Sequence, residues 1–350
     1  MILVAFGTRP EIIKLFPVIE ALKARKLAFR TLFTGQQIDL YEDVKALVPV
    51  PDFTFADAFA GDEKHNTLGG SFLKIGNAAE ELFRRHPFDI VVVQGDTTTA
   101  WALAQMAFYN GIPVAHVEAG LRTFDLANPY PEELNRILIS RVAHIHFAPT
   151  RQAADNLARE GALHVHLVGN TIVDAVNVFK AKMASSGTPA SSDKVLVTLH
   201  RRENHACMDR LFDELQTVAM ENPDLEIVLP IHPNPNVQIH RGRLTASNIR
   251  VIEPVGYPKM LRLIGESAFI ITDSGGIQEE ATCFNRKVLV VREKTERPET
   301  IDIGLGRLVG QAIAASVAWA RIPPPPPGES PYGDGHAAEK IAGHLEKYGS

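Results

Sequence analysis

Thr272-Asp-Ser-Gly-Gly-Ile-Gln-Glu-Glu-Ala281 follows directly on a short, β-branched apolar run, Ala268-Phe-Ile-Ile271. Such a run reads as a buried strand. Behind it, Ile277, Ala281 and Cys283 fall on or near one helical face. A strand, a tight Ser-Gly-Gly turn and a helix start together offer unpaired backbone N–H groups and the positive end of a helix dipole. An anion fits there, and Gly275 and Gly276 carry no side chain to keep it away. Glu279 and Glu280 come next. A carboxylate so placed repels a phosphate at contact distance but one turn further on can accept hydrogen bonds from a ribose diol. Taken alone, a glycine-rich turn with two acids favouring the helix dipole explains the stretch equally well. No Lys follows the glycines and no Gly-x-Gly-x-x-Gly occurs, so it is neither a Walker loop nor a dinucleotide turn.

Outward from this stretch the same alternation repeats. In the second half, strands are expected at 194–199, 227–230, 249–252, 268–271 and 288–291, with a helix at 312–320. Pro323 to Pro327 reads as a stiff connector, and Ala337 to Tyr348 as a terminal helix. In the first half, strands are expected at 2–6, 29–33, 89–94, 112–117, 144–148 and 164–168. Helices follow Thr8, run over about 68–85, and begin near Ile172. Ser185 to Ser192 is rich in Ser, Gly and Pro and reads as a loop or linker. Alternating strands and helices predict two doubly wound parallel sheets. By analogy with two halves of similar size, the domains are expected at 1–170 and 171–334, with the helix over about 335–350 packing back on the first.

Every unusual polar cluster falls just after an expected strand, where parallel sheets gather their carboxyl ends on one edge. Thr8-x-x-Glu11 fits a capping box. Arg9 and Lys14 lie at the front of that helix, where two cations oppose the dipole and an anionic partner would explain them. Asp96 reads most simply as a helix N-cap. Glu118 points into the crevice at the sheet edge, and Glu132 and Glu133 open a helix. His200 stands beside two arginines at a strand end, and Glu296-Arg297 follows the last strand. Each cluster has an ordinary structural explanation; all of them on one edge predict a cleft between the domains.

The chain has 350 residues and a formal net charge of -5. That length is ample for two domains, and the mildly acidic balance excludes a general nucleic-acid binder. Only Cys207 and Cys283 are present, so no disulfide framework is expected and a reducing cytoplasm is the simplest setting. There is no signal-peptide pattern and no apolar run long enough to span a bilayer. Zinc-type spacings, His-Glu-x-x-His and Gly-x-Ser-x-Gly are absent, and neither a metal nor a cofactor is expected.

Several of these stretches resemble the bacterial non-hydrolysing UDP-N-acetylglucosamine 2-epimerases. They are Gly-Thr-Arg-Pro-Glu (7–11), Gln-Gly-Asp-Thr (94–97), Val-Glu-Ala-Gly-Leu-Arg (117–122) and Pro-Glu-Glu (131–133). His-Arg-Arg-Glu (200–203), Asp-Ser-Gly-Gly-Ile-Gln-Glu-Glu (273–280), Glu-Arg-Pro-Glu (296–299) and Ser-Pro-Tyr-Gly-Asp-Gly (330–335) complete the set. The resemblance spans nearly the whole chain in order. It implies the GT-B fold, two Rossmann-like domains facing across a cleft, with UDP held mainly by the C-terminal one. On that basis Ser274, Gly275 and Gly276 cradle the diphosphate and Glu280 binds the ribose. Arg9, Lys14, His200 and Arg297 contact substrate or diphosphate, with His200 counted among the catalytic residues. Asp96, Glu118 and Glu132 are the acid–base carboxylates around the sugar. Val255 to Met260 matches the uracil pocket, with Met260 where the family carries an aromatic residue.

The implied reaction is reversible inversion at C2 of UDP-GlcNAc to give UDP-ManNAc, a precursor of cell-envelope polysaccharide, through loss and re-addition of UDP. It needs no nicotinamide. Some family members are activated by a second UDP-GlcNAc at a Gly-Gln-His and Arg-Gln site. Here the matching positions are Gly35-Gln36-Gln37 and His65-Asn66, which makes Gln36 and Gln37 a candidate second substrate site. A homodimer is also implied. The alternatives are a GT-B glycosyltransferase, which needs an acceptor, a hydrolysing epimerase, which releases free N-acetylmannosamine, and a non-catalytic nucleotide-sugar sensor. Diacetamido uronic acid derivatives of UDP are alternative substrates.

Overall fold

The structure is a computed structural model that describes residues 1–36, 44–59, 67–184 and 193–349. The expected linker Ser185 to Ser192, Gln37 and the His65-Asn66 pair lie outside the described residues. The chain divides into two compact units, Met1–Ala175 with Tyr332–Ser350, and Val176–Pro331.

The first unit holds a seven-stranded sheet. Its strands are β1 (Ile2–Phe6), β2 (Phe29–Phe33), β3 (Phe53–Thr54), β4 (Ile90–Gln94), β5 (Val114–Val117), β6 (Ile145–Ala148) and β7 (Val165–Leu167), in the order β3-β2-β1-β4-β5-β6-β7. Every pairing is parallel. The helices α1 (Arg9–Ala24), α2 (Leu68–Arg85), α3 (Thr98–Tyr109), α4 (Glu132–Val142) and α5 (Arg151–Arg159) form the crossovers, and α6 (Thr171–Ala184) follows β7. Strands covered on both faces are nearly continuous apolar runs, and β1 and β4 are buried at every position.

The second unit holds β8 (Lys194–Thr198), β9 (Glu226–Pro230), β10 (Ile249–Ile252), β11 (Phe269–Thr272), β12 (Lys287–Val290) and β13 (Gly306–Leu308), in the order β10-β9-β8-β11-β12-β13. These pairings are parallel too. Its longer helices are α7 (Met208–Glu221), α8 (Tyr257–Glu266) and α9 (Gly275–Cys283). The buried face of α7, including Leu211, Phe212, Leu215 and Val218, packs with Val195, Val197, Ile227 and Leu229 of the sheet in one core. The helix expected over 312–320 is instead a 3-10 turn, Ala314–Ser316, followed by a short helix, Val317–Arg321.

The last helix, α10 (Ala337–Leu345), packs against α1 in the first unit. Its start is held there by Asp174, whose carboxylate accepts from Ala338 N at 2.9 Å and Ala337 N at 3.3 Å. An acid on the first N–H groups of a helix satisfies donors that have no intrahelical partner.

Both sheets reverse their winding once. The reversal falls between β1 and β4 in the first unit and between β8 and β11 in the second. In open α/β sheets, ligands bind outside the strand carboxyl ends at that point.

Candidate active site

At the switch point of the second unit, β11 runs into Asp273-Ser274 and β8 into His200. Asp273 is fully buried. Its carboxylate accepts from His200 N at 3.0 Å, Arg201 N at 2.9 Å and Asn204 Nδ2 at 3.1 Å, which ties the two strand ends together. The His200 ring lies 3.3 Å from Asp273 through Nδ1 and stacks on His232, with centroids 5.4 Å apart. Burial pulls both imidazoles below their ordinary range, against the opposing charge of Asp273.

Helix α9 starts at this point, and no side chain among the described residues caps it. Ser274 is the N-cap residue, and its own N–H donates to Thr272 Oγ1 at 2.9 Å. The first N–H groups of the helix are thus presented at the sheet edge beside the positive dipole end. The two glycines differ in purpose. A Cβ on Gly275 would lie 2.5 Å from Arg297 Nη1, so glycine is needed for the guanidinium to pack against the helix start. A Cβ on Gly276 would meet nothing within 4 Å. Arg297 is buried, pairs with Glu279 through Nε at 2.6 Å, and also contacts Glu296. Glu279 neutralises it from within the helix. Glu280 is buried on the next position, and Val255 to Met260 forms the half-buried entry to α8 after edge strand β10.

In the first unit the switch point is flanked by Gly7-Thr8-Arg9 after β1 and Gly95-Asp96 after β4. A Cβ on Gly7 would lie 2.1 Å from Thr34 Oγ1 and 2.2 Å from Thr99 Oγ1, so only glycine lets these turns close on one another. Asp96 is not the N-cap of α3. Thr97 takes that place, its hydroxyl accepting from Ala100 N at 2.9 Å. The Asp96 carboxylate is left to accept from Arg136 Nη1 at 2.5 Å, and its carbonyl accepts from Asn135 Nδ2 at 2.8 Å. Both partners stand on α4, the helix that opens with Glu132. Arg136 holds Glu133 with its other nitrogens, at 2.8 and 3.1 Å.

Glu118 follows β5 with a left-handed backbone, φ 64°. A non-glycine residue held there is strained and persists only where its surroundings over-determine it. Here the surroundings are a buried Lys14, whose Nζ lies 2.6 Å from Glu118 Oε2, and Gln94, which donates to the same oxygen. Arg9 is the first residue of α1, and Gln36 reaches the start of α3, its Oε1 accepting from Thr99 N at 3.0 Å and Thr99 Oγ1 at 2.7 Å.

The structure therefore brings Asp96, Glu118, Glu132, Arg9 and Lys14 to one sheet edge. It brings His200, Ser274, Gly275, Gly276, Glu280 and Arg297 to the corresponding edge of the other unit. Sequence reasoning missed Gln94, Asn135, Arg136, Asn204 and His232. The signal for Asn135 and Arg136 was their spacing of three and four from Glu132, which puts all three on one helical face. Among the described residues no group of three or more His, Cys, Asp and Glu side chains could hold a metal ion, and no helix is long and apolar enough to cross a membrane.

His116, fully buried on β5, reaches Gly95 O through Nε2 at 2.7 Å. Burial, with His146, Arg122 and Arg136 nearby, lowers it to about 3. The unfolded chain then takes up this proton first as pH falls, so stability declines from about pH 6.5 downward. Between pH 7 and 4.5 the expected loss from this residue is about 2–3 kcal/mol. Urea unfolding of the protein and of His116→Gln at both pH values measures it as the difference in slope.

Two doubly wound α/β units, each with polar residues at its switch point, define a two-domain protein of GT-B type. The sequence model for the UDP-N-acetylglucosamine 2-epimerase family matches residues 20–346. The chain is 39% identical over 376 residues to the UDP-N-acetylglucosamine 2-epimerase of Campylobacter jejuni, covering 99% of this chain and 97% of the relative. Among solved structures it is similar to the Neisseria meningitidis UDP-GlcNAc 2-epimerase bound to UDP-GlcNAc, with TM-score 0.89, 33% identity and 99% of each chain covered. A further likeness is the Methanocaldococcus jannaschii UDP-GlcNAc 2-epimerase in complex with UDP-GlcNAc and UDP, with TM-score 0.83, 34% identity and coverage of 98% and 99%. The chain belongs to the UDP-N-acetylglucosamine 2-epimerase family.

Proposed function

We propose that this protein reversibly interconverts UDP-GlcNAc and UDP-ManNAc, without hydrolysis, by eliminating UDP and adding it back. The observation that carries the reading is the helix start at Ser274-Gly275-Gly276, uncapped by side chains and flanked by Arg297, in a chain whose other unit gathers three carboxylates on one edge.

The chemistry explains why both features are needed. The C2 hydrogen of an N-acetylhexosamine is not beside a carbonyl, so direct abstraction is very difficult. As the C1–O bond breaks, its electron pair goes to the β-phosphate oxygen and oxocarbenium character develops at C1. A carboxylate then takes the C2 proton, and the C2–H pair becomes the C1–C2 double bond of a 2-acetamidoglucal. For the return, UDP attacks C1 while C2 is protonated from the opposite face. Helix N–H groups, Arg297 and His200 take up charge on the departing diphosphate. Asp96, Glu118 and Glu132 do the proton work, Glu280 accepts from the ribose, and Val255 to Met260 receives the uracil. Gln36 at a second substrate site, a homodimer and a cytoplasmic setting belong to the same reading; the dimer is checked by sedimentation.

The open space at Gly276 gives this assignment a direct test. Gly276→Ala should leave the melting temperature unchanged or raised, since alanine favours a helix. It should weaken UDP at least tenfold by calorimetry, because the methyl stands where a phosphate oxygen must approach. Unchanged UDP affinity would remove the diphosphate from this turn. For the reaction itself, incubation with UDP-GlcNAc should yield UDP-ManNAc and incubation with UDP-ManNAc should yield UDP-GlcNAc, resolved by chromatography. Product in neither direction would overturn the reading.

A further inference from the structure

Glu11 is buried at the start of α1, and no cation pairs with it among the described residues. One carboxylate oxygen accepts from Gly7 N at 2.9 Å, Thr8 N at 2.7 Å and Thr8 Oγ1 at 2.8 Å. The other accepts from Thr97 Oγ1 at 2.7 Å, a residue 86 positions away in the turn after β4. Burial raises the Glu11 carboxyl to about 7, against the lowering effect of these four donors. A capping box needs a Glu or Gln at this place but does not need its second oxygen on another turn. A buried carboxylate held by neutral donors alone is also costly to the fold. The Thr97 bond is thus the part that helix capping leaves unexplained.

That bond joins the two turns that flank the switch point. One carries Arg9 and the other carries Asp96. The Asp96 turn is held at three successive residues by three different elements. Gly95 O accepts from His116 on β5, Asp96 O accepts from Asn135 on α4, and the Thr97 hydroxyl donates to Glu11 on α1. The N–H groups of Gly7 and Thr8, which at such a turn would otherwise face a ligand anion, are spent on Glu11. The first unit thus fills that place with its own carboxyl group, as part of the frame.

We propose that Glu11 is a positioning residue for the epimerisation, acting through Thr97 to set the Asp96 carboxylate at the distance from the sugar that proton transfer requires. The inference rests on the reading of Asp96 given above. A displacement of about 1 Å at a reacting group costs on the order of 10²-fold in rate. Glu11→Gln and Thr97→Val are therefore each expected to lower kcat by about 10²-fold, with KM for UDP-GlcNAc within about threefold of the parent protein. Thr97→Ser keeps the hydroxyl and should retain most of the rate. Because one link is being cut from either end, the double variant should be no slower than the slower single one.

Steady-state kinetics on the parent protein and these four variants, with melting temperatures, decides the matter. Thr97→Val leaves Glu11 in place but also removes the hydroxyl that caps α3 through Ala100 N; loss of the cap is read in the melting temperature and loss of positioning in kcat of the folded protein, so the variant still tests the proposal should Glu11→Gln not fold. A role confined to stability would lower the melting temperature while leaving kcat of the folded protein within about twofold, and that result overturns the proposal. So does an equal loss in Thr97→Ser, or a double variant whose losses multiply. A parent protein inert toward UDP-GlcNAc would instead overturn the proposed reaction, and this inference with it.

Discussion

Asp96→Asn is expected to lower kcat for epimerisation by about 10²–10⁴-fold, the usual contribution of a positioned acid or base. UDP affinity, measured by calorimetry, should not change, since Asp96 is assigned to the sugar and not to the diphosphate. The substitution is nearly isosteric. It leaves the Thr97 cap, the Asn135 bond to the Asp96 carbonyl and the Glu133–Arg136 pair in place, and turns the Arg136–Asp96 ion pair into a neutral hydrogen bond, so melting temperatures measured alongside separate the chemical loss from any structural one. Glu132→Gln, at the first residue of α4, should behave in the same way. Turnover within a few fold of the parent protein would take the acid–base role from whichever residue was changed.

Arg136→Met should cost about 3–5 kcal/mol of folding stability. Arg136 is 1% exposed and Glu133 is 0% exposed, so the pair is wholly inside the protein. Glu133 would keep the N–H groups of Thr123 and Phe124 but lose its only cation partner among the described residues. An uncompensated buried charge is the expensive outcome, whereas replacing both partners with apolar side chains is far milder. The double variant Arg136→Met/Glu133→Leu should therefore recover much of the loss in urea unfolding. Arg136→Met should also slow turnover, because Asp96 loses the guanidinium that holds it at 2.5 Å. A single variant within 1 kcal/mol of the parent protein would show that this network contributes little.

The parts of the fold that were legible in the sequence are those that local physics decides. Buried parallel strands are apolar along most of their length, so β1, β4, β8 and β11 stand out as β-branched runs within a residue or so of their observed ends. Polar residues directly after such runs then fall on one edge by topology alone. Phe53–Thr54 and Gly306–Leu308 are strands only because β2 and β12 offer them a register, and two or three residues carry no period of their own. Within the site, the sequence pointed to Asp96 as the cap of α3, and the structure puts Thr97 there. The choice went to Thr97 because Arg136, 40 positions away, claims the Asp96 carboxylate. The Glu11 capping box was legible, whereas its bond to Thr97 was not, since the turn chemistry at either end is complete without the other. Gly275 looked like a clearing for an anion, and its nearest neighbour is Arg297, a contact that depends on how the segment after β12 folds back.

Heavy water provides the most direct test of a proton leaving C2 while UDP stays bound. UDP-GlcNAc incubated with the protein in deuterium oxide, followed by proton NMR, should give both epimers with deuterium at C2 and no free sugar. Recovery of unlabelled UDP-GlcNAc, or release of free N-acetylmannosamine in place of its UDP derivative, would contradict it.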